Sequence, residues 1–267
     1  MKTVRSKDGT SIAYDQTGSG PAAILVNGAF SYRNFPGALE LAELLSPHFT
    51  VINYDRRGRG DSGDTQPYAV EREIEDLDAL IQAAGGSAYV WGLSSGAVLA
   101  LKAADCGLNI TKLVLYDPAM RVSPDDPLPP ADFIQHVTDL ITQDKRGEAV
   151  RYFMTKGMGA PGFVVTMMRF MPGVWPRLTA VANTLPYDAR MVDGYMNGKP
   201  LPAGTWKNIT MPTLVLDGEK AVASIRNAAQ AVAKILPNAQ HRTLPGLSHT
   251  NIDMKVIAPV VVEFLSN

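Results

Sequence analysis

Five short, mostly apolar runs constrain this chain more than any other feature of it: residues 22–26, 49–54, 88–91, 112–116 and 213–216. Runs of that length, rich in Val, Ile and Leu and ended by polar or glycine turns, are expected of strands buried on both faces of a parallel sheet. Helical periodicity fills the space between them. Val70, Ile74, Leu77 and Ile81 recur at three- and four-residue intervals, which places Glu71, Glu73, Glu75 and Asp78 on other faces. Gly85-Gly86 is expected to stop that helix. Two alternating segments at 3–6 and 11–15, joined by Asp8-Gly9, read as an opening hairpin. Strands alternating with helices predict an α/β fold with a doubly wound, mostly parallel sheet.

The alternation breaks between residues 120 and 210. That stretch is rich in Pro and Met and holds no run long enough to extend the sheet, whereas helices are expected at 131–143, 147–157 and 164–171. Strand pattern returns at Thr213, so the stretch reads as a helical cap inserted into a core made of residues 1–119 and 211–267. Met154, Met158, Met167, Met168, Phe170, Met171, Trp175, Met191 and Met196 crowd the insertion. Methionine adapts to irregular apolar shapes, which suits a lipophilic ligand and equally suits adhesion of the cap to the core. The chain closes with a helix at 224–236 before Pro237, a strand at 241–244 and a final helix ending at Leu265.

A net charge of −1 provides no electrostatic reason to expect nucleic acid or an anionic membrane as partner. The densest basic stretch, Arg56-Arg57-Gly58-Arg59, is flanked by Asp55, Asp61 and Asp64 and reads as a solvated, internally paired loop. No signal-type segment opens the chain and no apolar stretch reaches membrane-span length, so the expectation is a soluble, cytoplasmic protein. One cysteine, Cys106, and four histidines suggest neither a disulfide nor a metal cluster. Oligomeric state is left open.

The chemistry concentrates at Gly92-Leu93-Ser94-Ser95-Gly96. A G-x-S-x-G pattern is short, but here it follows the strand run at 88–91 and precedes an Ala-rich helix from Ala97. Strand, sharp turn and helix are what a nucleophile elbow requires, with Ser94 pushed out of the sheet and small residues at Gly92 and Gly96 permitting close passage. With this elbow, Leu25-Val26-Asn27-Gly28, and the segment from Asn53 to Ser62 that is similar to a D-x-R-G-x-G-x-S pattern, the chain resembles the α/β-hydrolase-fold serine hydrolases almost end to end. One departure is Asn27 where that family usually has His. By the resemblance, the backbone N–H groups of Ser95 and Ala29 would form an oxyanion hole, and no metal or organic cofactor is implied.

His249 lies in a Gly/Pro-punctuated loop after the last strand, where the resemblance puts the general base. His48, His136 and His241 read as structural or surface residues, with His136 a secondary candidate for lining a pocket. The acid is the larger departure: the family's usual position after the seventh strand is here Ala221. Asp117, after the sixth strand, is the leading substitute, as in haloalkane dehalogenases; Asp217 and Glu219 are alternatives. The expected activity is therefore hydrolysis of a carboxylic ester or lactone of a lipophilic small molecule through Ser94, His249 and Asp117. Two rivals remain at this stage: a C–C lyase or cofactor-free oxygenase on the same scaffold, and a small-molecule binding protein with a decayed triad.

Overall fold

A computed structural model describes residues 1–267, and eight strands form one sheet in the order β1-β2-β4-β3-β5-β6-β7-β8. The strands are β1 (Lys2–Arg5), β2 (Ser11–Thr17), β3 (Ala22–Val26), β4 (Thr50–Tyr54), β5 (Ala88–Leu93), β6 (Ile110–Tyr116), β7 (Thr213–Gly218) and β8 (Ala239–Leu244). β1 and β2 pair antiparallel and β2 meets β4 antiparallel, while every pairing from β4 to β8 is parallel. The five apolar runs supply the parallel interior because both their faces are covered.

One face packs against α2 (Val70–Ala83), α3 (Ser95–Asp105) and α9 (Ala223–Ile235). Leu77, Leu80, Val98, Leu101, Ala228 and Val232 fill that layer with Val90, Leu115 and Val215 from the sheet. The opposite face packs against α1 (Pro36–Leu45) and α10 (Met254–Ser266), through Leu41, Leu45, Ile257 and Val261 against Leu25, Val114 and Leu216. Alternate residues of one strand thus enter opposite layers, as period-two geometry demands. α1 begins at Pro36, whose fixed φ suits the first helical turn; the sequence pattern had not singled this helix out.

Between β6 and β7 lie α4 (Phe133–Thr142), α5 (Arg146–Tyr152), α6 (Gly162–Met168), α7 (Val174–Ala180) and α8 (Leu185–Met191). A five-residue π-helical turn over Phe153–Gly157 follows α5 and accounts for the longer helix expected there. α7 and α8 were not expected: each has seven residues, as α6 has, and in addition a proline in its first turn, Pro176 and Pro186, that interrupts the pattern. These helices enclose their own apolar cluster, into which Phe30 from the β3–α1 loop inserts, its ring edge-on to Phe153 at 5.6 Å. The insertion therefore rests on the carboxyl end of β3, beside the elbow. Of its methionines, Met154 and Met191 are buried, whereas Met167 and Met171 are exposed. No helix is long and apolar enough to cross a membrane.

The basic stretch differs from its expectation. Arg56, Arg57 and Arg59 are each no more than 2% exposed, and their carboxylate partners are not the neighbouring Asp55, Asp61 and Asp64. Arg56 pairs with Glu73 and Asp188, Arg57 with Asp8 and Asp76, and Arg59 with Asp188. Glu73, placed on an outer face of its helix by periodicity, is buried for the same reason: Arg56 draws it inward. Burying a guanidinium is tolerable only with partners of this kind.

Candidate active site

Ser94 occupies the turn between β5 and α3 with φ 56° and ψ −119°. A non-glycine residue seldom adopts a positive φ, and the cost is sustained here by tight packing on both sides. A Cβ at Gly92 would lie 2.7 Å from Ala97 Cα, and one at Gly96 would lie 2.2 Å from the Val26 carbonyl oxygen. Both glycines are therefore required by backbone proximity. The turn projects the Ser94 hydroxyl from the carboxyl edge of the sheet, where His249 Nε2 lies 3.3 Å from Oγ.

His249 sits in the β8–α10 loop and is brought in by Gly218 at the end of β7. A Cβ on Gly218 would come 2.5 Å from the Leu247 carbonyl oxygen, so only glycine lets the loop lie this close. The other ring nitrogen, Nδ1, is 3.1 Å from Asp117 Oδ2. Asp117 Oδ1 accepts a second hydrogen bond from the Gly218 N–H at 3.3 Å. Asp117 is fully buried and has φ 48°, turning off the end of β6 toward the histidine loop. Serine, histidine and aspartate thus form one continuous chain of polar contacts, the arrangement in which an imidazole takes a hydroxyl proton while a carboxylate holds its tautomer.

The alternatives for the acid lie elsewhere. Asp217 faces His241 of β8, whose Nε2 is 3.2 Å from Oδ2, yet neither Asp217 oxygen has an aligned hydrogen-bond partner. Glu219 Oε2 accepts from the Gly246 N–H and braces the histidine loop from outside. Ala221 is buried in the turn after β7, its N–H bonded to the Gly218 carbonyl. His136 is exposed against the Tyr152 ring, 4.2 Å between centroids, and His48 is exposed beside Phe49.

Ser95 is the first residue of α3, whose first-turn N–H groups have no partner within the helix. Ala29 follows Gly28 in the β3–α1 loop, and its N–H meets no backbone carbonyl. The two segments touch: a Cβ at Gly28 would be 2.8 Å from the Leu93 carbonyl oxygen and 3.0 Å from Ser94 Cβ. Asn27 takes a supporting part, its amide donating to Asn53 Oδ1, while Asn53 donates to the Arg33 carbonyl.

Sequence reasoning missed the ion network behind this edge. Asp188 of α8 accepts from Ser95 Oγ at 2.7 Å, Arg56 at 2.8 Å and Arg59 at 2.6 Å. Burial pushes the Asp188 carboxyl toward its neutral form, but Arg59, Arg56 and the Ser95 hydroxyl hold it below the usual carboxylate range. A basic cluster at the carboxyl end of a buried strand was the available signal for the arginines; nothing local marks Asp188. No group of three or more histidine, cysteine or carboxylate side chains is spaced to hold a metal ion.

Residues 23–255 match the model of the alpha/beta hydrolase family. The fold is shared with an alpha/beta hydrolase from Sphaerobacter thermophilus DSM 20745, 50% identical, with a TM-score of 0.91 over 99% of this chain and 100% of that one. It is also shared with the enol-lactonase from Burkholderia xenovorans LB400, 21% identical, with a TM-score of 0.74 over 100% of each chain. At that identity the likeness is one of fold. A stretch of 97 residues is 36% identical to the uncharacterized hydrolase YraK of Bacillus subtilis (strain 168), spanning 35% of either chain, so about a third of that relative's length is covered.

Proposed function

The chain belongs to the alpha/beta hydrolase family, and from that premise we propose that it is a serine hydrolase cleaving a carboxylic ester or lactone of a lipophilic small molecule. Ser94 Oγ attacks the carbonyl carbon while His249 Nε2 takes its proton. Asp117 holds the imidazole by Nδ1 and stabilises the imidazolium that forms. The N–H groups of Ser95 and Ala29 bind the oxyanion of the tetrahedral intermediate, where a single lost donor costs ~3 kcal/mol. His249 then protonates the departing alkoxide, and a water activated by the same histidine releases the acid from Ser94.

The observation that carries this reading is the unbroken contact from Ser94 through His249 to Asp117. It favours a working acid–base relay over a decayed site, because the acid absent at Ala221 has a counterpart at the end of the neighbouring strand. The lipophilic character of the substrate rests on the Met- and Phe-rich insertion, and the fold shared with an enol-lactonase keeps lactones within the class. The proposal further takes the insertion to be a cap over the sheet edge and the protein to act on small molecules in the cytoplasm.

A fluorophosphonate probe followed by peptide mapping tests this directly. A single adduct on Ser94, absent from Ser94→Ala, is the expected result. Failure to label under conditions that modify a control esterase would demote the hydrolase reading and make ligand-binding screens the next step.

A further inference from the structure

The Asp188 carboxylate lies at the crossing of two segments that never meet in sequence. Its Oδ1 accepts from Ser95 Oγ at 2.7 Å and from Arg56 Nη1 at 2.8 Å; its Oδ2 accepts from Arg59 Nη2 at 2.6 Å. The same guanidiniums reach onward into the β3–α1 loop. Arg59 Nη1 donates to the carbonyls of Gly28 at 2.6 Å and Ser31 at 2.9 Å, and Arg56 Nη1 donates to that of Asn27 at 3.3 Å. Those carbonyls flank Ala29. Glu73 takes the remaining edge of Arg56 in a two-point bond, and Thr184, also in the insertion, accepts from Arg59 Nε. Two carboxylates and two guanidiniums balance, and all four side chains are at most 3% exposed.

An ordinary packing role does not require this convergence. A buried ion cluster is a weak source of stability, since apolar residues of similar volume often serve as well. What it does supply is directional precision, because a fork-shaped donor and a carboxylate fix each other's orientation. Precision matters most where donors must lie 2.7–3.1 Å from a developing oxyanion.

We propose that Asp188 is a positioning residue for the oxyanion hole: it fixes the start of α3 through the Ser95 hydroxyl and the Ala29 loop through Arg59 and Arg56. The hole is then set by the insertion as well as by the sheet, so seating of α8 against the core and competence of the site are linked. This inference rests on the serine hydrolase reading above. Asp188 touches no reacting atom; it acts through Ser95 and the arginines.

The test uses the full chain, with an aryl ester as substrate and an aryl trifluoromethyl ketone as inhibitor. The ketone adds to an activated serine and generates the same tetrahedral oxyanion. Asp188→Asn and Ser95→Ala are compared with the unaltered protein, active sites being counted by fluorophosphonate titration. The expected result for each variant is a kcat lower by roughly tenfold or more and a ketone Ki weaker by a similar factor, with KM for the ester nearly unchanged. A variant that merely lost folded material would titrate fewer sites and keep the same Ki. Asp188→Asn deprives Arg59 of its carboxylate and can fail to fold; Ser95→Ala leaves every ion pair in place and then decides alone. Folded variants with the original kcat and Ki would overturn the proposal. An unaltered protein that neither turns over esters nor takes the probe would instead overturn the hydrolase reading, and this inference with it.

Discussion

Two aspartates lie near the carboxyl ends of neighbouring parallel strands of this sheet, and each has a histidine beside it. Asp117, just past β6, has His249 at 3.1 Å; Asp217, inside β7, has His241 at 3.2 Å. By distance alone they are interchangeable. Their surroundings are not. Asp117 bends off its strand at φ 48°, engages the Gly218 N–H with one oxygen and the imidazole with the other, and that imidazole reaches Ser94. Asp217 remains within β7, in register with Thr243 of β8, and neither of its oxygens has an aligned donor. Contact between an acid and a histidine is thus shared by both pairs, and the proposed relay uses what only one of them has: a strand end where the backbone turns, a glycine that admits the histidine loop, and an elbow that delivers the hydroxyl.

This contrast can be broken most forcefully at the serine. Ser94→Ala should reduce ester turnover by about 10⁶-fold, to the level that binding and oxyanion donors supply by themselves. Turnover that survives in this variant would move the nucleophile elsewhere.

Asp117→Asn comes next. It preserves shape but removes the charge that holds the imidazole tautomer, and kcat should drop by about 10⁴-fold. An unchanged rate would take Asp117 out of the relay and reopen Asp217 and Glu219.

The matching change at the other pair, Asp217→Asn, should leave kcat and KM as they are. Asn exchanges one unpaired buried oxygen for an equally unpaired amide of the same shape, so stability should change by less than about 1 kcal/mol, seen as a thermal-unfolding midpoint that shifts by no more than roughly 2–4 °C. A large fall in kcat here would erase the distinction between the two aspartates.

His241→Gln should have the smallest effect. The side chain stands partly in solvent on the edge strand β8, and Gln keeps an N–H that can face Asp217 Oδ2, so stability should change by only ~0.5 kcal/mol. Denaturant midpoints and ester kinetics indistinguishable from the unaltered protein are the expected outcome.

Most of the sheet was legible because buried parallel strands declare themselves locally. The runs at 22–26, 49–54, 112–116 and 213–216 match β3, β4, β6 and β7 to within a few residues at their ends. The elbow was legible for the same reason: its glycines are demanded by contacts made within a few residues and by the strand next door. His249 could be singled out by position, since a polar loop after the last strand opens onto the same sheet edge. α7 and α8 were not legible, because seven residues with a proline in the first turn establish no period of their own and depend on tertiary packing.

The amino-acid order alone determined an α/β architecture, and it pointed to a helical stretch between the sixth and seventh strands and to a serine and a histidine near one edge of the sheet. It left the choice among Asp117, Asp217 and Glu219 open, and it misassigned the arginines to solvent. Those matters depend on pairings that span the chain: Arg56 and Asp188 are 132 residues apart, and Asp117 and His249 are separated by the same distance. Local periodicity reports which face of an element is apolar. Which charge meets which is decided only when strands are in register and the insertion is seated, because a Coulombic partner is selected by proximity in space and by exclusion of water, and neither leaves a mark in the neighbouring residues.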